Sequence, residues 1–202
     1  MTDLYDIKEI EKEVHEIADL ACGHGTKSIV NDDEYPISGA EFLERINASK
    51  EKFISSAHEG FKAAQTRIIS CIQEIQTEEE AISTKLKESR RNREKKAVTE
   101  LKSKEQYLEN IQALFKHCAD AILWQLIQGQ LYVSRRLFQK VEGSKRLKDI
   151  NLKSVQAVVD EANKKPENFL LITDITNNAQ VGDVIGIWNG RFIIGEVKKE
   201  KH

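Results

Sequence analysis

Between Gly60 and Gly129 the chain contains neither glycine nor proline, and within that span apolar residues recur at coiled-coil spacing. A run this long without the two residues that most readily break a helix favours continuous helix over sheet. Ile54, Phe61, Ile68, Ile75 and Ile82 stand seven apart, with Ala57, Ala64 and Cys71 three residues after the first three, which is the pattern of a helical seam. A second series, Leu101, Leu108, Phe115 and Ile122, has Ile111 and Cys118 at the companion positions. Its phase differs from the first by five residues, which neither a three- nor a four-residue insertion explains. The helix must therefore break between the two series, and the polar run Glu88-Ser89-Arg90-Arg91-Asn92-Arg93-Glu94-Lys95-Lys96 is the place for it. Residues 38–130 are predicted to form two long helices folded back as an antiparallel, coiled-coil-like hairpin with that run at its tip. A single kinked helix that dimerises is the alternative.

Ahead of this arm, Leu4, Ile7, Ile10, Val14, Ile17 and Leu20/Ala21 recur at helical spacing behind Thr2-Asp3, a suitable cap. Gly23 and Gly25 end that helix, Ser28 to Ile37 reads as a loop, and residues 1–37 form an acidic N-terminal segment. Ser38-Gly39-Ala40-Glu41 has the capping-box spacing, in which serine and glutamate satisfy each other's backbone donors at a helix start. Beyond the arm, Gly129 is a weak point before a helical Leu131 to Phe138, and Gly143-Ser144 marks a turn. Trp124, Leu126 and Ile127 are expected to pack helix against helix rather than line a pocket.

The last segment changes period. Leu152, Val155, Val158/Val159 and Ala162 give a helix from Asn151 to Lys165 with one apolar face, ended by Pro166. Phe169 to Asp174 then reads as a strand, followed by two apolar runs around Asn189-Gly190, the strongest short hairpin signal, since both residues tolerate the positive φ of a two-residue type I′ turn. That turn sets the register. Trp188 pairs with Arg191, Ile187 meets Phe192, Ile185 meets Ile194, and Asp183 falls opposite Glu196. Two carboxylates whose Cβ atoms are about 5 Å apart repel unless a cation or a shared proton lies between them. Lys198, two residues beyond Glu196, completes an acid, acid, lysine group. Both faces of this hairpin are apolar, so helices are expected to cover it on both sides. The fold class is α+β and predominantly helical: a long helical hairpin, then a small unit over 131–202 made of a helix and a three-stranded antiparallel meander.

Asp183, twelve residues, then Glu196-Val197-Lys198 on the second and third strands of a meander, behind a helix and a first strand, resembles the PD-(D/E)xK nuclease family. The resemblance implies a metal-dependent nuclease. Asp183 and Glu196 would hold Mg²⁺ or Mn²⁺, and Lys198 would orient water or phosphate, with Glu161 and Asp174 as outer metal ligands. DNA or RNA would be the partner. Gly182 stands where the family usually has proline. The family core continues with a second helix and a further strand, which Lys199 to His202 cannot hold. The sheet is then expected to be completed by another element or chain, or the given chain to be a piece of a longer one, or the likeness to be local.

Charge is graded along the chain. Residues 1–49 carry 4 basic and 12 acidic side chains, residues 50–130 carry 14 and 12, and residues 131–202 carry 13 and 9. The basic surplus around the meander suits a phosphate partner. Arg90, Arg91, Arg93, Lys95 and Lys96 form a dense basic tip able to meet phosphates, although Glu88 and Glu94 interrupt it and no aromatic residue is near for base stacking. Cys22, Cys71 and Cys118 are scattered, and neither Cys22-Gly23-His24-Gly25 nor His117-Cys118 has a second pair at zinc spacing. No apolar run is long enough to cross a bilayer and no secretory leader stands at the start, so the expectation is a cytoplasmic protein without a membrane partner. The rival to the nuclease is a non-catalytic scaffold, whose long helices make a homo-oligomer or bind a protein partner and whose meander is a docking module.

Overall fold

Two long antiparallel helices dominate the molecule, and the other described elements pack against the middle of the longer one and the C-terminal half of the shorter. The computed structural model describes residues 6–24, 39–137, 152–179 and 181–198. Helix α1 runs Ile7–Ala18, α2 Gly39–Arg91, α3 Lys95–Leu126, α4 Leu131–Leu137 and α5 Leu152–Ala162; strands β1, β2 and β3 are Phe169–Ile172, Val184–Trp188 and Arg191–Gly195. The fold is α+β and mainly helical. At 53 residues, α2 is about 80 Å long.

The break between the heptad series is a tight one. Glu88 to Arg91 stay helical, Asn92 to Glu94 make the turn, and Lys95 already belongs to α3. Arg93 takes a left-handed φ of 60°, while the Asn92 and Glu94 amides donate to the carbonyls of Glu88 and Ser89 and close the end of α2. Ile68, Ile75, Phe115 and Ile122 are fully buried between the two helices. Each such side chain contributes about 1.5–3 kcal/mol of burial. The two heptad series thus serve each other within one chain.

Helix α1 lies along this pair. Asp6 caps it by accepting the Lys8 amide, and a π-helical turn over Asp19–Gly23 follows. Ile10, Ile17 and Ala21 are buried, and Arg67 of α2 grips Glu13 in a two-pronged contact of 2.7 and 2.6 Å. The cap expected at Thr2-Asp3, the loop Ser28 to Ile37, Ser38 of the capping box and the turn at Gly143-Ser144 lie outside the described residues. Gly129 adopts φ 66° and separates α3 from α4, as its place in the sequence leads one to expect.

The sheet is an antiparallel meander in the order β1-β2-β3. Its hairpin has the expected register: Trp188↔Arg191, Ile187↔Phe192 and Ile185↔Ile194. Asn189 and Gly190 have φ of 49° and 72°, the positive values a type I′ turn needs. Helix α5 packs on β1 and β2, α2 on β1 and α3 on β2. Phe169 of β1 is fully buried with its ring 5.2 Å from that of Phe61, so the arm's apolar seam runs into the sheet without a gap. The expected cover on both faces does not extend to β3, where Phe192 and Ile194 are 39% and 44% exposed. On the other face Ile193 packs against the core, so β3 is open on one side.

Candidate functional site

The β2–β3 ladder ends at Val184↔Gly195, one pair short of Asp183 and Glu196. Just past that end, the Asp183 amide donates to the Gly195 carbonyl at 2.8 Å, and Oδ2 of Asp183 accepts the Val197 amide at 2.7 Å. The turn register therefore does bring the Asp183 carboxylate to the Glu196-Val197-Lys198 segment. It also gives that carboxylate a backbone partner, so one oxygen of Asp183 caps the end of β3. Val197 packs against the core, while Glu196 and Lys198 on either side of it are exposed. In an extended chain alternate residues share a side, which puts the acid and the lysine together on the solvent side.

Gly182 has φ 72°, and a Cβ placed there would meet the Gly195 carbonyl oxygen at 2.7 Å. Proline, whose ring holds φ near about −65°, cannot take this shape. Glycine at this position lets the chain turn back closely enough for Asp183 to reach Val197.

The remaining candidates have surroundings of their own. Glu161 is exposed at the end of α5 and pairs with Lys164 one turn on. Asp174 sits in the helical turn Thr173–Ile175 after β1, where its charge faces the buried Lys116 of α3. Arg90, Arg91, Arg93, Lys95 and Lys96 are all exposed at the arm's tip, about 40 Å along α2 from Gln65, which bonds to the sheet. Cys22, His24 and His117 are engaged with Gln125, Ser56 and Asp120 respectively. Among the described residues no three His, Cys, Asp or Glu side chains are grouped so as to hold a metal ion. Among the described residues, then, Glu161 and Asp174 do not join Asp183 and Glu196 in such a group.

A second polar constellation, absent from the reading of the sequence, secures the loop between β1 and β2. Asp120 of α3 is buried, and its Oδ1 accepts the amides of Asn177 and Asn178 at 3.1 and 3.2 Å, while its Oδ2 accepts from the Asn178 side chain at 2.8 Å. His117 Nδ1 lies 3.3 Å from the same Oδ2. Burial pushes the Asp120 carboxyl above its ordinary pKa, and the two amides and His117 oppose that rise. Lys116 beside it is also buried, and its ammonium is pushed below its usual pKa by desolvation, with Asp174, Asp120 and Glu79 acting the other way. Within the loop, the Thr176 hydroxyl meets the carbonyls of Thr173 and Ala179, and Thr173 donates its hydroxyl to Gly182 and its amide to Asp183. The stretch Thr173-Asp174-Ile175-Thr176-Asn177-Asn178 could have been recognised as a turn from its threonines and asparagines, which bond to nearby backbone. Nothing local in it points to Asp120.

Among the described residues no helix is long and apolar enough to cross a membrane. Set against protein-family models, curated proteins and solved structures, the chain matches none of them.

Proposed function

We propose that the end of the β2–β3 hairpin is a divalent-metal site of PD-(D/E)xK type that acts on nucleic-acid phosphodiesters, with Asp183 and Glu196 as metal ligands and Lys198 as the residue that orients water or phosphate. The observation that carries this reading is the 2.7 Å bond from the Val197 amide to Oδ2 of Asp183, which draws one acid to the segment bearing the other acid and the lysine. The donor set suits Mg²⁺ or Mn²⁺. Such hard cations take oxygen ligands, and Mg²⁺ is usually held by one or two carboxylates together with waters and substrate phosphate rather than by an all-protein cage. When bound, the metal would lower the pKa of a water and offset charge on the phosphate.

The chain's own residues have separable parts in this. Asp183 is held by its backbone on both sides, through Thr173 and Gly195, and contributes a carboxylate of fixed position. Glu196 reaches from the solvent side, and Lys198 on that side supplies a positive charge for a phosphate oxygen. The scaffold reading has less to rest on. Ile68 and Ile75, the seam residues that would join two chains, have no exposed surface, so charging them would unfold the arm whether or not it has a partner.

Calorimetric titration with Mn²⁺ tests the proposal, because it needs no knowledge of the substrate. Saturable binding is expected in the wild type, and Glu196→Gln, an exposed change that leaves the fold alone, should weaken it about tenfold or more. Asp183→Asn should abolish it. Absence of binding by the wild-type protein at millimolar Mn²⁺ would overturn the metal-site reading.

A further inference from the structure

The acid of the proposed site is joined to the helical arm by an unbroken series of short polar contacts. At the arm, Asp120 on α3 takes the amides of Asn177 and Asn178 and the side chain of Asn178. Asn177 adds a bond of its own, from its side-chain nitrogen to the Ala113 carbonyl at 3.0 Å, so the loop holds α3 at two levels. Thr176 follows directly and folds the loop on itself through its hydroxyl, which meets the Thr173 and Ala179 carbonyls at 2.7 and 3.1 Å and accepts the Ala179 amide at 3.0 Å. Thr173 then passes the constraint to the start of β2, with its hydroxyl on the Gly182 carbonyl at 2.7 Å and its amide on the Asp183 carbonyl at 3.1 Å. The last member is the bond that the Val197 amide donates to Oδ2 of Asp183.

Asp120, Thr173 and Thr176 are all buried. Water competes poorly for such groups, and a buried carboxylate that accepts several amides resists displacement because leaving them unpaired is costly. The arm is a well-packed support for the loop, since Phe115, Ala119 and Ile122 around Asp120 are fully buried against the rest of the core.

We infer that Asp120 is a positioning residue for Asp183: α3 fixes the loop Thr173–Ala179, and the loop fixes the carboxylate, so the helical arm is a working part of the site rather than an appendage to it. The inference rests on the metal-site reading for its functional meaning but makes a claim about the carboxylate that is measurable without metal. Supporting residues that orient a metal ligand typically change metal affinity by about 10–100-fold when removed.

The test uses the full chain with Asp120→Ala, Asp120→Asn and Asn178→Ala. Amide hydrogen exchange is followed at Val197 and Thr173, whose N–H groups report where Asp183 sits, and Mn²⁺ affinity is followed by calorimetry. Asp120→Ala should speed exchange at both amides and weaken Mn²⁺ binding about tenfold or more. Asp120→Asn retains a carbonyl acceptor for the two loop amides and should recover most of the loss. Asn178→Ala, which deletes one side-chain bond and keeps both backbone ones, should fall between them and remains informative if Asp120→Ala does not fold. Wild-type exchange at Val197 and Thr173 in Asp120→Ala or Asn178→Ala would overturn the positioning role, as would lowered thermal stability with unchanged Mn²⁺ affinity. Accelerated exchange in a protein whose wild type binds no Mn²⁺ would leave the coupling standing and overturn the metal site alone.

Discussion

The two edges of the small sheet are treated differently by the rest of the molecule. On the β1 side, the side chain of Gln65 from α2 acts as a short substitute strand, its nitrogen donating to the Leu170 carbonyl at 3.2 Å and its oxygen accepting the Ile172 amide at 2.8 Å. Asn163, just past α5, accepts the Leu170 amide at 2.8 Å. On the β3 side, no side chain among the described residues supplies such bonds, and Phe192 and Ile194 remain well exposed. An unpaired edge with apolar faces is one that natural sheets usually cover or charge. The contrast shows that the sheet is anchored from one side only. Its β1 half belongs to the arm, and its β3 half, which carries Glu196 and Lys198, is held by the hairpin and by the contacts of Asp183.

The comparison can be broken most forcefully in the core. Phe169→Ala on the anchored strand should cost about 3–5 kcal/mol, whereas Phe192→Ala on the open strand should cost about 1 kcal/mol or less. Urea unfolding of the two variants measures both, and equal losses would mean that β3 is as firmly packed as β1.

A smaller effect sharpens the account of the edge itself. Gln65→Leu keeps the volume but strands the Ile172 amide away from water and leaves the Leu170 carbonyl only the 3.4 Å bond from the Asn163 side chain, at about 1–3 kcal/mol. Hydrogen exchange should quicken at Ile172 in that variant. At Ile194, whose amide faces outward because the pairs Trp188↔Arg191, Gly186↔Ile193 and Val184↔Gly195 alternate with it, exchange should be fast from the outset. A slowly exchanging Ile194 in the wild type would show that something covers the open edge.

The smallest expected effect is on pH dependence, and it too belongs to the anchored side. His58 is buried beside Phe61 and Phe169, and desolvation holds its pKa below the ordinary 6.5. Its folded-state pKa is depressed, so the stability associated with the neutral ring is present above pH 6.5 and is lost as pH falls through the folded value. The Arg67 guanidinium likewise keeps the Glu13 carboxyl below 4.5, and that contribution is present above pH 4.5 and lost as pH falls through the lowered value. Melting temperature measured downward from pH 7 should decline in these two windows. His58→Gln should flatten the upper decline and Glu13→Gln the lower, and a curve unchanged by either substitution would contradict the assignment.

Much of this architecture is legible in the residues alone. The helical hairpin follows from Ile54 to Ile82 and Leu101 to Ile122, and its break from their mismatch in phase. The meander's register follows from Asn189-Gly190. The expectation went astray where an element had to end: Asp183 and Glu196 read as strand because the apolar alternation runs up to them, yet the ladder stops at Val184↔Gly195 because Gly182 turns the chain and the Asp183 side chain takes the next amide for itself. Cover was expected over both faces of β3 because its residues are apolar on both. How many strands a pair of helices can span is a question of widths and angles that no pattern of residues states.

What the sequence by itself determined is therefore the set of elements and the pairings between neighbours: helix by period, turn by the tolerance of asparagine and glycine for positive φ, register by counting outward from that turn. These depend on residues close together in the chain, and the physical preferences of each segment suffice to specify them. Only the tertiary structure decided that Gln65 finishes the edge of β1, that Asp120 holds the loop leading to Asp183, and that β3 stands open. The partners in the first two contacts are separated by 107 and 57 residues. A glutamine or an aspartate on a helix has the same local character whether it faces solvent or a strand edge, so its role exists only once the packing of distant elements has removed water from around it.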